Sequence, residues 1–233
     1  MKKFLTVIGV VFGLTLLLLL GASVTIASPA TYCVRKTGND GDTGACPGNA
    51  WLTVDHAANT VVAGDVVYVG SGVYRELVTM DTSGTVTDTI SFIGDIDGAQ
   101  TGDPGPVIIS AFDAEDGAAA RNYCLDMNEK EFIVWQYVIF DGGATACVGD
   151  VDGVADIAYE GFEFLDCVFL AGDDDGDRAT DLEINDGATP TADGLQVKRC
   201  VVAGAFRVSY NTQSTSHKNL KWDIENTVFL AHQ

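Results

Sequence analysis

Three short segments carry the residues best suited to chemistry. They are Gly94-Asp95-Ile96-Asp97-Gly98, Gly149-Asp150-Val151-Asp152-Gly153 and Gly172-Asp173-Asp174-Asp175-Gly176, the last running on to Asp177 and Asp181. Alternating aspartates aim several carboxylates at one hard cation, and glycine permits the tight curve. Asp173, Asp175 and Asp177 are the best candidate calcium ligands. Four carboxylates within the five residues 173–177 repel one another, and a cation relieves that repulsion. An EF-hand is not completed: Arg178 stands where its glycine would be and Ile184 where its closing glutamate would be. The first two segments read as ordinary solvated turns. Cationic side chains follow at Lys198, Arg199 and Arg207, then His217, Lys218 and Lys221. A hydrolase would need two carboxylates across a cleft, to which Asp166 or Asp223 could contribute. With 25 Asp in the chain, a pairing chosen by sequence alone carries no information. There is no Gly-x-Ser-x-Gly elbow, phosphate loop or His-Glu-x-x-His pair.

Charge narrows the partners. The 233 residues hold 13 Lys and Arg against 33 Asp and Glu, a net charge of −20. Nucleic-acid binding needs clustered cations and is excluded as an expectation, as is docking on anionic lipid. The chain is 47% hydrophobic and rich in β-branched residues, which sets it apart from disordered sequences.

The elements that position these residues begin after an export signal. Lys2 and Lys3 precede an apolar run from Phe4 to Leu20, and small residues follow through Ala27. This predicts a secretory signal over 1–27, with an uncleaved anchor as the alternative. In either case residues 28–233 are exported, and after cleavage no membrane segment remains. All six cysteines lie after the signal, without metal-ligand spacing, which points to disulfides in an oxidising compartment. Cys33 and Cys46 bracket a Gly/Asp-rich loop and are expected to close it. Cys124 and Cys147 are the next pair expected.

From residue 130 a pattern recurs. Val134-Trp-Gln-Tyr137-Val-Ile-Phe140 is followed by Phe164-Leu-Asp-Cys167-Val-Phe-Leu170, Val197-Lys-Arg-Cys200-Val-Val-Ala203 and Ile224-Glu-Asn-Thr227-Val-Phe-Leu230. Aligning Tyr137, Cys167, Cys200 and Thr227 gives steps of 30, 33 and 27 residues. Short strands and turns at a period near 30, with no helix between them, predict a parallel β-solenoid. An antiparallel sandwich is the competitor, but it does not explain why the four copies are alike. Cys167 and Cys200 then stack in consecutive coils, as small buried hydrophobes or as a bridged pair. Upstream, Trp51 to Val62 reads as a short amphipathic helix. Thr53 would cap it, Gly64 would lie just past its end, and Leu52, Ala57, Ala58, Val61 and Val62 would form its apolar face. Such a helix would cover one end of the solenoid. Val66–Val69, Ile90–Ile93 and Val107–Ile109 read as the first strands.

Tyr32-Cys-Val-Arg-Lys-Thr-Gly-Asn-Asp40, Trp51-Leu-Thr-Val-Asp-His-Ala-Ala58 and Ala63-Gly-Asp-Val-Val-Tyr-Val-Gly-Ser-Gly-Val-Tyr-Arg-Glu76 together resemble the opening of a known family. The family is the secreted right-handed parallel β-helix proteins of the pectate-lyase-like superfamily. The resemblance implies an all-β fold, a right-handed parallel β-helix with a short capping helix. It says little about activity, since the superfamily holds enzymes, spikes and adhesins alike. Thr191-Ala-Asp-Gly-Leu-Gln-Val-Lys198 faintly resembles a strand of the calcium-dependent pectate lyases. That implies Lys198 or Arg199 as the base beside calcium at Asp173, Asp175 and Asp177, although the acidic loop here precedes the strand. The plainer reading of Lys198-Arg199 is an exposed pair on a strand. Two functions follow. The first is a secreted or cell-surface structural, adhesive or carbohydrate-binding protein, stabilised by calcium, with a polysaccharide or surface glycan as partner. The alternative is a calcium-dependent polysaccharide lyase. Trp135, Tyr137, Tyr159, Tyr210 and Trp222 are the aromatics available to a sugar, with most expected in the core or at its rim. The sequence stops at Gln233 just after the fourth copy, which reads as an unfinished solenoid.

Overall fold

The computed structural model describes residues 28–113, 121–143, 147–149, 161–170, 180–183, 195–203, 206–209 and 223–230. The strands stack into parallel ladders that wind around one core. The longest ladder runs β1 (Thr31–Val34), β2 (Val66–Val69), β5 (Ile90–Gly94), β8 (Ile133–Gln136), β11 (Glu163–Leu165), β14 (Gln196–Lys198) and β17 (Asp223–Glu225). Beside it runs a six-stranded sheet of β3 (Gly72–Arg75), β6 (Val107–Ser110), β9 (Val138–Asp141), β12 (Val168–Leu170), β15 (Val201–Ala203) and β18 (Val228–Leu230). A third face carries β4 (Val78–Thr79), β7 (Leu125–Asp126) and β10 (Val148–Gly149), with β13 (Thr180–Glu183) paired to β16 (Phe206–Ser209). The strand pairings within these sheets are parallel, as a solenoid requires and a sandwich forbids. The fold is a parallel β-helix, consistent with the right-handed form.

Alternation along each strand builds the core. Val67, Phe92, Trp135, Phe164 and Val197 share one register position of the first sheet and are buried. Ile109, Phe140, Phe169 and Val202 do the same on the second. Stacking identical positions puts ring on ring. Phe92 lies 4.3 Å from Trp135, and Phe140 meets Trp135, Phe164 and Phe169 at 5.5, 5.6 and 5.4 Å. Each buried ring contributes about 1.5–3 kcal/mol by removal from water, and each aromatic pair about 0.5–1.5 kcal/mol more.

Four details differ from the sequence reading. In the first repeat copy the register is shifted by one: Val138, not Tyr137, sits level with Cys167 and Cys200, and Trp135, not Val134, sits level with Phe164. Both Val134 and Trp135 are apolar, so the pattern alone allowed either phase. The larger ring takes the core, and a one-residue slip exchanges the faces. The helix α1 is only Val54–Ala58, ended by Asn59 rather than Gly64. Thr53 caps it as expected, accepting from the His56 N–H at 3.2 Å. Leu52 and Val62 are exposed, while Val54, Ala57, Ala58 and Val61 join the core. Cys33–Cys46 is bridged, but Cys124 and Cys147 are free and buried. Their coils stack, because Leu125 pairs with Val148. Each thiol instead donates to a carbonyl, Cys124 to Cys147 O at 2.8 Å and Cys147 to Leu170 O at 2.6 Å. Burial pushes both thiols up, which leaves them inert. Cys167 and Cys200 stack as expected, free and buried.

Candidate functional site

The corner between the two long sheets departs from ordinary geometry in four successive coils. One residue per coil makes the bend. Tyr137, Asp166, Arg199 and Asn226 form a column there with φ of 58°, 54°, 56° and 50°. The column is held by backbone hydrogen bonds from coil to coil: Tyr137 N–H to Leu165 O at 3.2 Å, Asp166 N–H to Lys198 O at 3.0 Å, and Arg199 N–H to Glu225 O at 2.8 Å. Asn and Asp enter this left-handed region readily, whereas Tyr and Arg stay there at a cost of about 1–2 kcal/mol each. A costly residue kept at a corner directs attention to what its side chain does.

Tyr137 is 40% exposed and overlooks a groove of about 270 Å³. Ile96 and Pro106 form one wall, Ile139 and Val168 the other, and Asp166 stands among the apolar lining. The first wall belongs to the loop between β5 and β6. Asp95 shapes this loop: its Oδ2 accepts the Gln100 N–H at 3.0 Å, the Thr101 N–H at 2.6 Å and the Thr101 hydroxyl at 2.7 Å. Burial pushes the Asp95 carboxyl up, but these Thr101 and Gln100 donors outweigh it and hold the group below its ordinary value. Asp97 accepts the Ala99 N–H at 3.0 Å. The first Gly-Asp-x-Asp-Gly segment is therefore a turn, as expected, and it frames the groove. Its glycine is required: a Cβ on Gly94 would lie 2.2 Å from the carbonyl oxygen of Tyr137.

Charge at the edge of the groove is paired. Arg199 grips Asp166 through two bonds of 2.7 Å, Nε to Oδ1 and Nη2 to Oδ2, and Gln136 Nε2 donates to Oδ2 at 3.3 Å. The Arg199 guanidinium holds the Asp166 carboxyl below the usual carboxylate range. Arg199→Ala is expected to raise that pKa toward its ordinary value, read by a carbon-detected NMR titration. Because the folded value lies below the unfolded one, the wild-type pair adds stability above the unfolded pKa and loses it as pH falls through the folded one. The variant should lose this acid-sensitive component.

Of the sequence candidates, Lys198 and Arg199 are brought to this corner, each against a carboxylate. Lys198 bonds Gln196 and lies 3.3 Å from Asp223, as Arg199 bonds Asp166. The two acids suggested for hydrolysis, Asp166 and Asp223, are thus the partners of the two suggested bases. Asp173, Asp175 and Asp177 lie outside the described residues, as do Tyr159, Tyr210, Trp222 and residues 1–27. Among the described residues no three His, Cys, Asp or Glu side chains gather as a metal site. Trp135 is core, as expected. The groove itself, with Ile96 and Pro106, was not visible in sequence. Its one local signal was an Asn or Asp at the corner of two repeat copies.

No family model matches the chain, and no curated protein matches its sequence. Solved structures do match in shape. A GH136 lacto-N-biosidase from Eubacterium ramulus superposes with a TM-score of 0.56 at 11% identity over 86% of this chain and 40% of its own. Pectate lyase Pel9A gives 0.53 at 16% identity over 78% of this chain and 41% of its own. A rhamnogalacturonan lyase gives 0.51 at 16% identity over 88% of this chain and 58% of its own. The chain thus spans between 40% and 58% of the length of these three structures. What it shares with them, on shape and on the strand ladders above, is the parallel β-helix fold.

Proposed function

We propose that this chain is an exported or cell-surface β-helix that binds carbohydrate at the corner groove, with calcium at Asp173, Asp175 and Asp177 as a stabilising ion. The observation that carries the reading is Tyr137: a half-exposed ring, fixed in the left-handed region, beside an apolar cleft with a carboxylate in its lining. A pyranose has an apolar face and a rim of hydroxyls. An aromatic face and a few placed polar groups match those two features. The solved structures of similar fold support a carbohydrate ligand, being named as a lacto-N-biosidase and as pectate and rhamnogalacturonan lyases. The pairing of Arg199 favours binding over lysis: the Asp166 carboxylate raises the guanidinium pKa, which opposes its use as a base.

Affinity electrophoresis through gels containing neutral or acidic polysaccharides, with and without calcium, tests the reading. At least one polysaccharide should retard the chain, and Tyr137→Asn should weaken that retardation about tenfold or more, as for other aromatic contact residues. Asparagine keeps the left-handed backbone. Unaltered mobility of folded wild type in every gel would overturn the proposal. Release of unsaturated uronate products would replace it with the lyase.

A further inference from the structure

We propose that the groove selects a neutral pyranose bearing a methyl group, as a deoxyhexose or an N-acetyl sugar, and excludes uronates. This inference rests on the groove being the carbohydrate site. Three observations lead to it.

The first is the walls. Ile96, Pro106, Ile139 and Val168 present only hydrocarbon side chains. A hydroxyl turned toward them loses water and gains no partner, whereas a methyl group there gains by leaving water. The volume of about 270 Å³ lies near the lower limit of ligand pockets, which suits one ring and its substituents rather than a long run of sugars in contact at once.

The second is the lone-pair inventory of Asp166. An ionised carboxylate accepts at about four positions. Arg199 Nε uses one on Oδ1, while Arg199 Nη2 and Gln136 Nε2 share Oδ2. One acceptor position on Oδ1 is left. It can take a sugar hydroxyl and cannot take another carboxylate.

The third is the charge that a uronate would meet. The cation at this edge, Arg199, is already bound through both bonds to Asp166, and Lys198 lies against Gln196 and Asp223. The chain as a whole carries −20. An acidic sugar therefore approaches a like field with the nearest cations engaged. A neutral sugar pays none of that cost, and its methyl group meets the wall that rejects its hydroxylated relatives.

The test is isothermal titration of the full chain with the free sugars D-fucose, N-acetylgalactosamine, D-galactose and D-galacturonic acid, which share one ring configuration and differ only in the group tested. Each titration is repeated on Ile96→Asn and Tyr137→Asn, with folding checked by circular dichroism. D-fucose or N-acetylgalactosamine should bind about tenfold more tightly than galactose, the discrimination one apolar group provides in a fitted pocket. Galacturonic acid should be weakest, and Ile96→Asn should abolish the methyl preference. The two methyl-bearing probes distinguish a deoxyhexose site from an N-acetyl site. Galacturonic acid or galactose binding as tightly as the methyl sugars, with Tyr137→Asn weakening it, would overturn this inference and leave the groove as a carbohydrate site. A methyl preference untouched by either variant would place it elsewhere and also overturn the inference. No binding by any of the four would overturn this inference, while the carbohydrate reading stands or falls separately on the affinity gels.

Discussion

Phe140→Ala should destabilise the fold by about 3–5 kcal/mol, seen as a lower urea midpoint at unchanged slope. Phe140 is fully buried and touches three other rings: it stacks on Phe169 at 5.4 Å and meets Trp135 and Phe164 edge-on. A β-helix cannot close readily over a void at this position, because the parallel ladders fix the spacing of the coils above and below. The backbone strand β9 carries both Phe140, facing in, and Ile139, facing the groove. The same substitution should therefore weaken carbohydrate binding more than its distance from the ligand suggests. A loss under about 1 kcal/mol would mean that the ring column is not the core of the fold.

Cys33→Ala with Cys46→Ala should cost about 3 kcal/mol, the value for a closed loop of this size. The bridge spans 13 positions of sequence, rich in Gly and Asp, that would otherwise be free in the unfolded chain. Its loop also packs: Tyr32 stacks on Trp51 at 4.5 Å, and the Trp51 indole N–H donates to Asp42 O at 3.0 Å. Those contacts survive the double substitution only while the loop keeps its path. Thermal unfolding with and without reductant measures the effect. A wild-type chain whose melting ignores reductant, with the disulfide confirmed present beforehand and lost afterwards, would contradict the prediction.

The solenoid was legible because its later coils repeat closely. Register positions 134, 163, 196 and 223 are separated by 29, 33 and 27 residues, and the next residue is buried in the first three copies (Trp135, Phe164, Val197) although Ile224 of the fourth is exposed. The earlier coils hid theirs: Ser91 and Val134 occupy the same register position although 43 residues apart. The one-residue slip at Trp135 arose where two adjacent apolar residues made the phase degenerate, and only packing against Phe92 resolves it. The disulfide at Cys33 was legible because its loop is local. The fate of Cys124 and Cys147 was not, since stacked thiols can bridge or bond to carbonyls according to where each sulfur points. The groove was illegible for a different reason. Its walls come from Ile96 and Pro106 on one side and Ile139 and Val168 on the other, residues of three coils, and the left-handed bend that exposes Tyr137 follows from the register, not from any preference of tyrosine. The candidate bases, Lys198 and Arg199, sit on the corner as members of ion pairs.

Carbohydrate is expected at the corner and not on the third face formed by β4, β7 and β10. Backbone amide shifts measured with oligosaccharides from the most strongly retarding polysaccharide test it most directly. Changes are expected in Gly94–Asp97, Gly105, Gln136–Ile139 and Asp166, with Val78, Leu125 and Val148 quiet. Changes concentrated on those third-face strands, with the corner silent, would contradict it.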